Sequence, residues 1–198
     1  MFESIFARFQ KRYIKLNIDP LLHSSLPIKY RSAQTRFKLN LFNFVLAIGL
    51  SRSVRTTNKI KFADAADFVE RFVKNDNDEL IVSINDVDVD DKIKIAEHIG
   101  EGLSIIIAEQ LYDIQRSNIS KIKRKKNESK PDYEGYSRNL KIVWEAKGST
   151  NTINQRIIRH AKNQKKRVPA NIAFASFANL IPHCITEVTI EDPPTFLP

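Results

Sequence analysis

KPDYEGYSRNLKIVWEAKGS, residues 130–149, reads as a β-hairpin with strands near 131–137 and 140–147 joined through Ser137, Arg138 and Asn139. Side chains alternate along a strand. Leu140, Ile142, Trp144 and Ala146 therefore share one wholly apolar face that must pack on helices, and Lys141, Val143, Glu145 and Lys147 share the other. Glu145 and Lys147 point the same way at the strand end, where a cleft can open. The hairpin can carry Asp132 beside Glu145.

Two carboxylates held together repel unless a cation joins them, and hard oxygen ligands suit Mg²⁺ or Mn²⁺. Such a set fits phosphodiester hydrolysis. Asp132 and Glu145 would hold the cation, with the Ala146 backbone carbonyl as a third ligand. A bound cation lowers the pKa of a water and offsets charge on the scissile phosphate. Lys147 would orient or deprotonate that water, or stabilise the transition state.

The surroundings predict a mixed α/β sheet flanked by helices. A long helix is expected from about Asp91 to Gln115, with Ile95, Ile99, Leu103, Ile106 and Ile114 on one stripe. The segment 153–167 reads as an amphipathic helix with Ile153, Ile157, Ala161 and Gln164 inside. Gln164 is a polar amide in that apolar stripe, reaching the site, the DNA backbone or solvent. NIAFASFA, 171–178, reads as a buried strand, and ITEVTIED, 185–192, as a final edge strand. Residues 1–92 read as a mostly helical region covering the 93–198 core. SIFARFQKRYIKL and the stretch from Ala33 to Leu50 have helical spacing, Asp64 caps a third helix, and LIVSI at 80–84 is a short strand.

The 198 residues carry a net charge of +9, and its distribution is uneven. Residues 116–167 hold 16 Lys and Arg against 4 Asp and Glu, a balance of +12; the rest holds 16 against 19. So local an excess favours a polyanion, because neutralising phosphates releases condensed counterions. The phosphate contacts expected are Lys123, Arg124, Lys125 and Lys126 in a basic loop, and Arg156, Arg159, Lys162 and Lys166 on the outer faces of the following helix, where Lys166 is joined by Arg167. The single cysteine, Cys184, allows no internal disulfide, and the longest apolar run, 41–50, is half a membrane span. A cytoplasmic protein without a membrane partner is the expectation.

NDVDVDDKIKIAE offers a rival. Asp86, Asp88, Asp90 and Glu97 fall at positions 1, 3, 5 and 12 of an EF-hand-like loop, but Asp91 replaces the glycine of position 6 and LIVSI is no helix. Capping of the long helix by Asp90 or Asp91 explains the stretch better. Nucleophile elbows and phosphate-cradling glycine loops are missing from the sequence, and His160 is read as structural.

Pro131-Asp132 followed by Glu145-Ala146-Lys147 resembles the PD-(D/E)xK superfamily of restriction-endonuclease-like nucleases, over about residues 93–192. The resemblance implies a core of one helix, three strands, a helix and a further strand, with Mg²⁺ or Mn²⁺ as cofactor. It also implies an acid from the preceding helix, for which Glu101 is chosen with Glu97 and Glu109 as alternatives, and a polar residue on the later helix, matched by Gln164. The function it implies is DNA endonuclease activity in restriction or anti-phage defence, as a homodimer or part of a larger complex. The alternatives are a non-catalytic nucleic-acid-binding module of the same fold and a protein-interaction subunit.

Overall fold

The computed structural model describes residues 11–53, 62–123, 128–165 and 167–191. Their nine strands form one mixed, curled sheet with helices packed against it. In chain order the elements are β1 (Lys11–Ile18), β2 (Gln34–Asn40), α1 (Leu41–Ser53), α2 (Phe62–Phe72), β3 (Val73–Asp76), β4 (Glu79–Val82), α3 (Val89–Tyr112), β5 (Ile119–Lys121), β6 (Tyr133–Ser137), β7 (Leu140–Ser149), α4 (Gln155–Lys165), β8 (Ile172–Asn179) and β9 (Glu187–Glu191). The sheet runs β3-β4-β1-β9-β8-β7-β6-β5, with β2 paired to the other side of β1.

The N-terminal half departs from expectation. KRYIKLNI is a strand, not the end of a helix, because Ile14, Leu16 and Ile18 alternate with Lys11, Tyr13, Lys15 and Asn17. Gln34–Asn40 repeats this, burying Phe37 and Leu39, before Asn40 accepts the Asn43 amide and the helix begins at Leu41. Period-two alternation joined to cross-strand pairing outweighs the helical spacing that overlaps it. Among its described residues the half is therefore not a mostly helical cover. Its strands belong to the same sheet as residues 93–198, since β1 pairs in parallel with β9. That pairing also makes β9 an inner strand, where an edge strand was expected; its five residues lie between β8 and β1.

Around the hairpin the expected elements form, but Leu140, expected on the packed apolar face, is exposed at the start of β7. β7, α4 and β8 form a parallel β-α-β unit, in register from Ile142↔Ile172 to Ser149↔Asn179, and α4 covers both strands. On the other face, α3 packs along β7. Trp144 stacks between Tyr133 and Phe174, at centroid distances of 5.6 and 5.7 Å, and its indole N–H donates to Ser104 of α3. Two glycines let α3 approach: a Cβ on Gly148 would sit 1.8 Å from the Ala96 carbonyl oxygen, and one on Gly100 2.7 Å from the Gly148 Cα. The glycine after Glu145-Ala146-Lys147 is thus a packing requirement.

α3 starts earlier than expected: Asp88 is its N-cap residue, with Asp90 and Asp91 in the first turn. Asp64 likewise lies in the first turn of α2 rather than capping it. Among the described residues no helix is long and apolar enough to cross a membrane.

Candidate active site

Asp132 stands one residue before β6. Its amide donates to the Trp144 carbonyl at 3.1 Å, and its Oδ2 accepts the Ala146 amide at 3.0 Å. The carboxylate occupies the place a strand carbonyl would hold in the ladder. Continuing the β6–β7 register from Tyr133↔Trp144 by one residue sets Asp132 against Glu145. An extended residue directs its N–H and C=O to the same strand edge, so the Ala146 carbonyl opens on the side where Asp132 lies.

Glu145 is fully buried. Its cross-strand neighbour is Ala175 of β8, which packs with Phe177 and with Ala161 of α4. Such burial requires a compensating charge. Lys147 supplies it, ion-paired with Glu145 from two residues along the same face while remaining 31% exposed. Lys147 also borders a cleft of about 510 Å³ between α3 and the start of α4. Glu97, Ser149, Asn151, Arg156 and His160 line its polar side, and Ile93, Ile153 and Ile157 its apolar side. Asn154 caps α4 by accepting the amides of Arg156 and Ile157, both at 3.0 Å.

Gln164 is buried at 4% exposure, near Lys130, whose carbonyl accepts from its Nε2 at 3.5 Å. Its Oε1 is buried without a hydrogen-bond partner among the described residues. The solvent reading of Gln164 is therefore corrected: the inner stripe of α4 carries it inward.

Glu101 is held elsewhere. Its carboxylate accepts from the Tyr133 hydroxyl at 2.9 Å and from Lys121 at 3.2 and 3.3 Å. Tyr133 is on the α3 face with Trp144, the face away from Glu145. Of the alternatives, Glu109 is bound bidentately by Arg116, whereas Glu97 is exposed and lines the Lys147 cleft. Lys121, just before that basic loop, belongs to β5 and is committed to Glu101.

Lys123, Arg156 and Arg159 are exposed, as phosphate contacts must be. Arg124, Lys125, Lys126, Lys166 and the side chain of Lys162 lie outside the described residues. The EF-hand-like arrangement does not form: Asp86, Asp88 and Asp91 border a hollow with Lys94 and His98, and Glu97 faces the other cleft. No group of three or more His, Cys, Asp and Glu side chains able to hold a metal ion occurs among the described residues. Any cation at the hairpin would use two carboxylates plus main-chain oxygen and water.

Ser149, Asn151 and His160 were not singled out by sequence reasoning as site residues. Ser149 and Asn151 carried a signal, the polar run STNTIN directly after the strand, whereas His160, on α4 and read as structural, carried none. Comparison with protein-family models, curated proteins and solved structures gave no match.

Proposed function

We propose that the chain is a divalent-cation-dependent endonuclease of the PD-(D/E)xK type, hydrolysing DNA phosphodiester bonds at Asp132, Glu145 and Lys147. The observation that carries this reading is the Asp132 carboxylate seated on the Ala146 amide. It joins Pro131-Asp132 to Glu145-Ala146-Lys147 at one strand end. The order α3, β5, β6, β7, α4, β8 supports it, being a helix, three strands, a helix and a strand. The short β5 supplies a strand that the sequence had not marked.

The donor set fits Mg²⁺ or Mn²⁺, since Asp132, Glu145 and the Ala146 carbonyl offer only hard oxygen. Bound there, the ion would supply a water of lowered pKa and offset phosphate charge. Lys147 balances Glu145 in the free protein. Once Glu145 is otherwise neutralised, Lys147 is free to turn toward the cleft and donate to the attacking water or a phosphate oxygen. Arg156 and Arg159 hold the backbone of the substrate. The resemblance further suggests restriction or anti-phage defence, as a homodimer or within a larger assembly.

A second reading, a non-catalytic nucleic-acid-binding module, is favoured by the complete burial of Glu145 and its existing partner. Incubating plasmid and single-stranded DNA with Mg²⁺ or Mn²⁺ separates the two. The nuclease reading predicts cutting by wild type and none by Asp132→Ala or Lys147→Ala, with DNA binding retained. Binding without cutting by wild type would establish the module instead.

A further inference from the structure

The outer face of the β1–β2 ribbon concentrates charge that no expected contact uses. Cross-strand pairing places Lys15 opposite Arg36 and Tyr13 opposite Lys38, with Lys11 at the end of the same row. All four cations are exposed. Like charges directly opposite one another destabilise a sheet. The Lys11 ammonium, within hydrogen-bonding reach of Lys38 and of like charge, lowers the Lys38 pKa. The Arg36 guanidinium lies 4.0 Å from the centroid of the Tyr13 ring, fixed as a flat cation.

Two acids border the row. Glu79 reaches Arg36 only at 3.9 Å, and Glu187, opposite Lys15, is engaged by Asn17. Protection of an edge strand from aggregation does not account for the pattern. That device places charge on the edge itself, here β2 with Arg36 and Lys38, and leaves Lys15 unexplained, since it stands on β1 between β2 and β9.

The ribbon shares a sheet face with the proposed site. Glu145 opposes Ala175, Ala175 opposes Glu191, and Glu187, four residues before Glu191, opposes Lys15. Four strand spacings separate β7 from β2, roughly 19 Å along the sheet. That is about the width of a duplex, or a few nucleotides of extended single strand.

We infer that the β1–β2 ribbon is a second phosphate-binding surface, on which Lys11, Lys15, Arg36 and Lys38 hold the backbone of the nucleic acid beyond the strand-end site. This rests on the nucleic-acid reading above but needs no catalysis. Binding is therefore measured in EDTA, by fluorescence anisotropy of labelled duplex and single-stranded DNA across a salt series. The full chain is compared with a variant carrying Lys11→Gln, Lys15→Gln, Arg36→Gln and Lys38→Gln.

The expected result is at least ~10-fold weaker binding, and a log–log salt slope shallower by about 0.9 for each duplex phosphate no longer neutralised. Circular dichroism should match wild type and the unfolding temperature should be no lower, since the four side chains are exposed and their mutual repulsion is removed. An unchanged affinity and slope would overturn the inference. So would unchanged DNA binding with abolished attachment to phosphatidylserine vesicles, which would make the ribbon a membrane surface. If wild type binds through the ribbon yet never cuts DNA with Mg²⁺ or Mn²⁺, the nuclease reading fails and this one stands.

Discussion

The two faces of the β6–β7 hairpin meet two glutamate–lysine pairs of opposite character. On the α3 face, Glu101 is enclosed: Tyr133 and Lys121 bind it, and the Lys121 side chain is 15% exposed. On the α4 face, Glu145 is fully buried, but its partner Lys147 opens onto the cleft. Burial of a carboxylate therefore does not separate Glu101 from Glu145, the acid proposed to act. What separates them is whether the compensating cation can leave. Lys121 is enclosed with Glu101 and Tyr133, whereas Lys147 borders an open cleft into which it can turn once another cation neutralises Glu145.

The largest effect should come from prying α3 off β7. Gly148→Ala places a methyl against the Ala96 carbonyl, and we expect a loss of about 3 kcal/mol or more in urea unfolding, at the upper end of overpacking costs. Wild-type stability in this variant would mean α3 does not press on β7 as described.

Removing the acids sharpens the contrast. Glu101→Ala leaves Lys121 buried beside Tyr133 and should cost about 3 kcal/mol, as for a broken buried pair. Glu145→Gln frees Lys147 to solvent and should cost roughly 1 kcal/mol, near a single hydrogen bond. Equal losses would erase the distinction. Tyr133→Phe removes one hydroxyl from Glu101 and should cost about 1 kcal/mol. In the Glu101→Ala background the same change should cost measurably less, as read by a double-mutant cycle.

The sequence revealed this hairpin and its flanks because their periods are clean. The alternation of LKIVWEAK and the inner stripe of α4 assigned Trp144, Glu145, Lys147 and Ala161 to their faces correctly. It could not reveal β5, whose three residues are too few to show a period. Nor could it place β9 inside the sheet, since its pairing with β1 joins residues about 170 positions apart in sequence. Lys11–Ile18 was missed because its alternation is embedded in a segment whose apolar residues also fit a helix. On α3, the apolar stripe could not show that Tyr133 and Lys121 bind Glu101. Glu97, one turn earlier, is the acid the fold turns toward Lys147.

Cation binding tests the contrast between the two acids most directly. Isothermal titration of Mn²⁺ into wild type, Asp132→Asn, Glu145→Gln and Glu101→Gln reads the ligand set without any substrate. A site present in wild type and Glu101→Gln, and abolished in Asp132→Asn and Glu145→Gln, is the predicted result. Binding that survives both hairpin substitutions, or disappears only with Glu101, would contradict a cation centre at the end of β7.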